Sequence, residues 1–271
     1  MGRILIGTQG WNYAAWVGPF YPLGTRPAEY LPTYAKAFHG VEVDSSFYAT
    51  PDARAIRAWA ARTPRDFTFA LKMPQEITHE RRLLDAGDFV HVFLERAREL
   101  DTRLGPILMQ MGPDFAPHEL PALEAFIPRL PRDLRFAVEV RQSAWMRPEV
   151  LNPLMELLTE YGVALALSDG RWIRRETMME LAERPTADFH YVRWMGPNRD
   201  ITDYSRLQFD RSAEIRAWAE VLKKVAHTRD VYGFFNNHFA GHSPANAREM
   251  QSLLGQRPVD PATLGQQRSL F

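Results

Sequence analysis

The sequence predicts an α/β fold, a single-domain (β/α)8 TIM barrel, and three observations predict it. Short apolar runs rich in β-branched and aromatic residues recur along the whole 271-residue chain. Helix-period segments separate them, and strict alternation implies parallel strands, because each crossover between parallel strands needs a helix. There are eight runs, the number that closes such a sheet on itself. An open nucleotide-binding sheet would carry a glycine-rich fingerprint, whereas the first run is followed by GTQGWNY, without GxGxxG or a Walker lysine.

The strand runs fall at 4–8, 41–44, 67–73, 107–111, 136–141, 163–168, 189–195 and 231–236. Thr50-Pro51 is expected to cap and open the second helix, and Gly162 to end the helix running up to Tyr161. The sixth connection is the weakest, with room only for a brief helix around 177–183. Asp210 precedes a helix whose Ile215, Trp218, Leu222 and Val225 share one face. Ser243-Pro244 is expected to cap and open the last helix, which stops at Gly255. The barrel is thus expected over 1–255. The proline-bearing, low-bulk segment 256–271 is expected to be a flexible tail.

Lysine plus arginine equals aspartate plus glutamate at 33 each, so no global field draws this protein to nucleic acid or membrane, and any anion site must be local. Without cysteine there are no disulfides, thiol nucleophiles or thiolate metal sites. The N-terminal stretch MGRILIGTQG enters a strand at once, with no signal-peptide pattern, and no apolar run reaches membrane-spanning length. The expectation is a cytoplasmic, soluble protein.

The run FAVEVRQSAW (136–145) carries Glu139 and Arg141 on one face of a strand. In a barrel the outer face lies under apolar helices, where a charge is costly to desolvate, so both are expected in the lumen near the C-terminal mouth. Other strand ends are polar too: Glu42 and Asp44, Lys72, Gln110, Asp169, Arg193, and Asn236-Asn237 with His238. Barrel bottoms rich in Ile, Val, Ala and Phe contrast with these mouths, and that gradient points to a binding site for something polar. Lys72, Arg141 and Arg193 come from the third, fifth and seventh strands, and three converging cations suit a carboxylate or phosphate. The loop SDGRWIRRE (168–176) adds Arg171, Arg174 and Arg175 around Trp172. The first loop, GWNYAAWVGPFYP (10–22), contributes Trp11 and Tyr13 as an aromatic wall. A divalent metal on Glu42, Asp44, Glu139 or Asp169 with His79 or His238 is the less favoured reading, because the lumen cations already compensate those carboxylates. His238 and His242 do not form the helical HExxH arrangement, and no GxSxG elbow is present.

The ordered motifs IGTQGWNYAAWVGPFYP, VEVDSSFYATP, ALKMPQEITH, GPILMQM, FAVEVRQSAW, YVRWMG and FFNNHFAGHSPANA resemble the YecE-like family, a group catalogued as a domain of unknown function with a TIM-barrel fold. The resemblance covers about residues 4–255. It implies that Gly10, Trp11, Tyr13, Phe47, Tyr48, Lys72, His79, Gln110, Glu139, Arg141, Trp145, Arg193, Asn236, Asn237 and Gly241 are shared family positions. The chain departs from the family pattern at Gly112, where Pro is frequent, at Ala144, where Ser is, and at Met195, where His is. The resemblance carries no reaction, so roles come from chemistry.

Three functions fit these residues. The first is an enzyme of nucleic-acid metabolism, including DNA repair, hydrolysing a phosphodiester or nucleotide. In it Lys72, Arg141 and Arg193 hold phosphate, Glu139 or Asp169 is the general base, and His79 or His238 the acid. The second is an isomerase, lyase or hydrolase of a phosphorylated or acidic sugar using the same groups. The third is a non-catalytic binding or adaptor barrel. Trp11, Tyr13, Glu42, Asp44, Gln110, Trp145, Asn236 and Asn237 complete the expected ligand-binding set. The terminal Gln267-Arg268-Ser269-Leu270-Phe271 resembles the pentapeptide that docks bacterial proteins on the DNA-replication sliding clamp, with Gln267, Leu270 and Phe271 as anchors.

Overall fold

Eight parallel strands hydrogen-bond in the order β1-β8-β7-β6-β5-β4-β3-β2, and each is followed by a helix, which makes the fold a (β/α)8 barrel. The structure, a computed structural model, describes residues 2–197 and 200–265. The strands are β1 Ile4–Thr8, β2 Gly40–Val43, β3 Thr68–Lys72, β4 Leu104–Gln110, β5 Phe136–Glu139, β6 Ala164–Gly170, β7 Phe189–Gly196 and β8 Asp230–Phe235. The helices are α1 Pro27–Ala37, α2 Ala53–Ala61, α3 Gly87–Arg98, α4 Leu120–Phe126, α5 Pro148–Tyr161, α6 Arg175–Leu181, α7 Ser212–Val225 and α8 Ser243–Leu253. As expected, α6 is brief, and Gly162 ends α5 in the left-handed conformation at φ 64°.

Two caps differ from expectation. Asp52, not Thr50, opens α2, because its carboxylate accepts Ala55 N at 2.7 Å while Pro51 remains in the lead-in. Ser243 is already helical, and its hydroxyl donates to Asn237 Oδ1 at 2.8 Å instead of capping α8.

The seam between β1 and β2 has no regular ladder. It is bridged only at Gln9 and Glu42, with Gly10 N donating to Glu42 O at 2.8 Å. Tyr34 of α1 fills the gap: Thr8 N donates to its hydroxyl at 2.9 Å, and that hydroxyl donates to Gly40 O at 3.1 Å. A side chain thereby supplies what a strand neighbour would otherwise provide. Gly7 makes the approach possible, since a Cβ there would stand 2.2 Å from Gly40 O.

Two apolar layers follow from the period of two along each strand. Outward residues meet the helices, with Trp194 stacked 4.1 Å from Phe235 and edge-on to Trp218 of α7. Inward residues fill the lower lumen unevenly: Phe189, Tyr191, Tyr232 and Phe234 of β7 and β8 face Ala70, Ala137, Ala164 and Ala166. Large residues on one side against small ones on the other close the bottom, leaving the upper lumen to polar side chains.

Beyond α8, Gln256 Nε2 donates to Ile4 O at 2.9 Å and Leu264 is buried, so residues 256–265 lie against the barrel where a loose segment was expected. Gln267, Leu270 and Phe271 lie outside the described residues. No helix among the described residues is long and apolar enough to cross a membrane.

Candidate active site at the barrel mouth

Each strand delivers one inward residue to the top of the lumen. Arg193, 1% exposed, crosses it and holds two carboxylates. Its Nη2 and Nε donate to Glu42 Oε1 at 2.7 Å and Oε2 at 2.9 Å, and its Nη1 donates to Glu139 Oε2. Tyr191, one inward position below, donates its hydroxyl to Glu42 Oε2 at 2.8 Å. Arg141, just past β5, donates Nε to Glu139 Oε1 at 2.8 Å and Nη2 to Gln110 Oε1. Register explains the grouping: Gln110 is the Cα partner of Glu139, and Ser168 that of Arg193.

Burial raises the proton affinity of a carboxyl, but Arg193 and Arg141 outweigh it at Glu139 and hold that group at about 2. Arg193 is raised well above its ordinary value: burial opposes its charge, and Glu139 and Glu42 overcome it. The pairs fix one another, and each charge would be prohibitively placed alone.

Lys72 differs from both arginines. Its Nζ lies 3.6 Å above the centre of the Phe47 ring and makes no ion pair or hydrogen bond among the described residues. Burial, reinforced by Arg193, lowers it from 10.5 to about 8. Asp44, in the turn after β2, moves the other way: burial and then neighbouring Glu42 raise it to about 6. His79 sits in the turn Glu76–Glu80 after β3, edge-on to the same Phe47 ring at 4.9 Å, and its Nδ1 is 2.8 Å from Thr78 Oγ1. Burial, then Lys72 and Arg141, lower its imidazole to about 4, so it is neutral near pH 7. The loop that follows holds Arg82, Leu83 and Asp85 in left-handed conformations, and Arg82 clamps it to Asp114 at 2.6 Å and Glu119 at 2.7 Å.

On the other side of the mouth, Glu139, Arg141, Trp172, Met195 and His238 line a cavity of about 80 Å³. Of the three arginines in that loop, Arg171 lies 4.2 Å over Trp172 and lines the same cavity, while Arg174 meets exposed Glu176. His238 Nε2 lies 3.2 Å from the Tyr204 hydroxyl. Asn236 Nδ2 donates to Gln9 Oε1 at 2.8 Å, and Gln9 Nε2 donates to Met195 Sδ at 3.0 Å. Gln9, 1% exposed, is a mouth residue that sequence reasoning missed, although the inward parity of Leu5 and Gly7 leads directly to it.

Several expected site residues turn out to serve the scaffold. Asp169 points away from the lumen, since inward Ser168 precedes it, and its Oδ2 accepts Arg175 Nε at 2.6 Å and Trp218 Nε1 at 2.8 Å. It is therefore unsuited to act as a general base. Trp145 is fully buried, stacked on Phe115 with its indole N–H on Phe115 O at 2.9 Å. Trp11 packs edge-on against Trp59 of α2 and Phe69 of β3. Asn237 accepts from Trp16 Nε1 at 3.3 Å and from Ser243, tying the first loop to α8. Tyr13 donates to Gln9 O at 3.1 Å and packs on Trp16 and Tyr204 at the rim. The expected three-cation cluster reduces to Lys72 and Arg141, because Glu42 and Glu139 occupy Arg193. No group of three or more His, Asp or Glu positioned to hold a metal ion occurs among the described residues.

Comparison with known proteins agrees with this architecture. The chain is 34% identical over 290 residues to UPF0759 protein YecE of Escherichia coli K12, covering 99% of this chain and 100% of that protein. It is 25% identical to UPF0759 protein YunF of Bacillus subtilis, covering 93% and 94%. A crystal structure of a DUF72 family protein from Thermotoga maritima superposes with a TM-score of 0.79 at 24% identity, covering 94% of this chain and all of that one. D-psicose 3-epimerase from Clostridium cellulolyticum, solved with D-tagatose, superposes with a TM-score of 0.54 at 13% identity, covering 94% and 97%, a likeness of fold alone. The family model described as "Protein of unknown function DUF72" matches residues 5–268, and the chain belongs to that family.

Proposed function

We propose that the barrel mouth is an active site for proton transfer on a small carbonyl compound bearing an anionic group, an acidic or phosphorylated sugar, in isomerase or lyase chemistry. One observation carries this reading. Lys72 Nζ stands 3.6 Å over the Phe47 ring with no ion pair among the described residues, and burial with Arg193 lowers it to about 8, while burial with Glu42 raises neighbouring Asp44 to about 6. An acid–base pair tuned in this way supplies a proton acceptor and a donor at the same pH. Arg141 is the anion-holding group: its Nη1 makes no hydrogen bond among the described residues, whereas Arg193 is saturated by Glu42 and Glu139. Glu139 positions Arg141 and does not exchange protons near pH 7.

A phosphodiester substrate is the weaker reading, because Arg193 is held by Glu42 and Glu139 and the cavity beside Arg141 is small. A separate proposal rests on Gln267, Leu270 and Phe271: docking of the C-terminal segment on a sliding clamp. Its support is the motif alone.

The test is a panel of sugar phosphates and sugar acids followed by thermal shift and by NMR in D2O. A bound member should raise the melting temperature and exchange the hydrogen next to its carbonyl with solvent. Arg141→Met should weaken its binding about tenfold, the order expected for one charge-assisted contact. If no member binds or exchanges, the reading fails.

A further inference from the structure

Only four of the 33 Lys and Arg residues are lysines, at positions 36, 72, 223 and 224. Lys36, Lys223 and Lys224 are exposed, and Lys72 alone among them is buried and faces the lumen. The other two lumen cations, Arg141 and Arg193, are arginines engaged with carboxylates. Arginine cannot deprotonate in a protein, whereas a buried lysine can present a neutral amine. The one position built for an amine also makes no ion pair among the described residues, its Nζ on the Phe47 face, both nearby glutamates taken by Arg193 and Asp44 acting on it only at longer range.

We propose that Lys72 is a covalent catalyst, its Nζ condensing with an aldehyde or ketone of the substrate to form an imine. This rests on the reading of the mouth as a site for an anionic carbonyl compound, and it names the catalytic form of that chemistry. The Asp44 carboxylate takes a proton from the Lys72 ammonium, the freed Nζ lone pair attacks the carbonyl carbon, and that proton passes from Asp44 to the carbonyl oxygen to give a carbinolamine. The nitrogen sheds a proton, the hydroxyl accepts one, and one water leaves as the C=N bond forms. No redox partner is needed. The protonated imine then draws electrons from the adjacent carbon, which loses either a proton or a carbon–carbon bond, and hydrolysis returns the amine. Neutral His79, packed on the same Phe47 ring, is placed to relay protons, and Arg141 holds the anionic end. Burial, with Arg193 nearby, holds the amine at about 8, so a useful fraction is neutral near pH 7.5.

The experiment is reductive trapping of the full-length protein with sodium borohydride and three probes: glyceraldehyde 3-phosphate, dihydroxyacetone phosphate and glyoxylate. Peptide mass spectrometry reads the modified lysine. The proposal expects Lys72 to be labelled at least tenfold faster than Lys36, Lys223 or Lys224, with labelling rising as pH passes about 8. Lys72→Arg, which keeps the charge, should lose that label while still binding the probe anion. Labelling confined to the surface lysines, with binding and solvent proton exchange intact, overturns the imine and leaves acid–base catalysis standing. Loss of binding and exchange together with the label overturns both.

Discussion

Arg193 of β7 and Glu42 of β2 form a two-point ion pair across the barrel lumen, at 2.7 and 2.9 Å, with both side chains 1% exposed or less. The pair joins residues 151 apart in the chain, on β2 and β7, to one another and, through Glu139, to a third strand. Its consequence is that Arg193 belongs to the scaffold, and Lys72 is left without an ion pair among the described residues.

Removing Arg193 should therefore damage stability before it tells anything of binding. Arg193→Met leaves Glu42 and Glu139 buried without their partner, at a cost of about 3–5 kcal/mol. Adding Glu42→Gln and Glu139→Gln should restore a large part of it. Urea unfolding of the single and triple variants checks this, and equal midpoints would show that the network carries no net coupling.

Lys72 should behave in the opposite way. Its folded-state value of about 8 lies below its ordinary 10.5, which corresponds to about 3 kcal/mol against the charged form. Between those two values the unfolded chain holds a proton that the folded chain has released, so this group's contribution to stability rises with pH across the window. Lys72→Met should then stabilise the protein by about 1–3 kcal/mol at pH 7, with the advantage shrinking between pH 8 and 10.5. Denaturant titrations of both proteins across that range measure it. A destabilised Lys72→Met variant would show that the amine is a structural partner.

At the seam, Tyr34→Phe strips Thr8 N and Gly40 O of their shared hydroxyl. Two buried polar groups left unsatisfied should cost about 1–3 kcal/mol. Hydrogen exchange at the Thr8 amide should accelerate while that of central β7 holds. Unchanged protection at Thr8 would show that water or a shifted strand replaces the hydroxyl.

For the C-terminal segment, Leu270→Ala with Phe271→Ala should abolish binding to a purified sliding clamp, itself expected in the micromolar range because two anchors bury little area against the general cost of association. The barrel's melting temperature should stay nearly constant. A surface-plasmon titration decides it, and a large loss of stability would assign those residues to the barrel's own packing.

The fold was legible because it depends on short-range pattern. Alternation along each strand and the helical period between strands suffice for eight β/α units, and burial on both faces drove the polar residues of FAVEVRQSAW into the lumen. The same parity would have separated inward Ser168 from outward Asp169, and it places Gln9 beside Leu5 and Gly7. From sequence, Trp145 and Asn237 read as ligand residues because aromatic and amide side chains serve packing and binding alike, and only their buried partners Phe115 O and Ser243 distinguish the roles.

By itself, the sequence determined the number of strands, the polarity of the mouth and the set of charges available there. Only the tertiary structure decided which charges cancel. That outcome depends on barrel closure, which sets β2 across the lumen from β7 and lets one guanidinium span two carboxylates. Distances across a closed lumen are fixed by strand tilt and by the aromatic-against-alanine packing beneath, neither of which is written in local spacing. Once Arg193 is satisfied, the low-dielectric interior weakens the remaining charge on Lys72, and the amine's character follows from its surroundings.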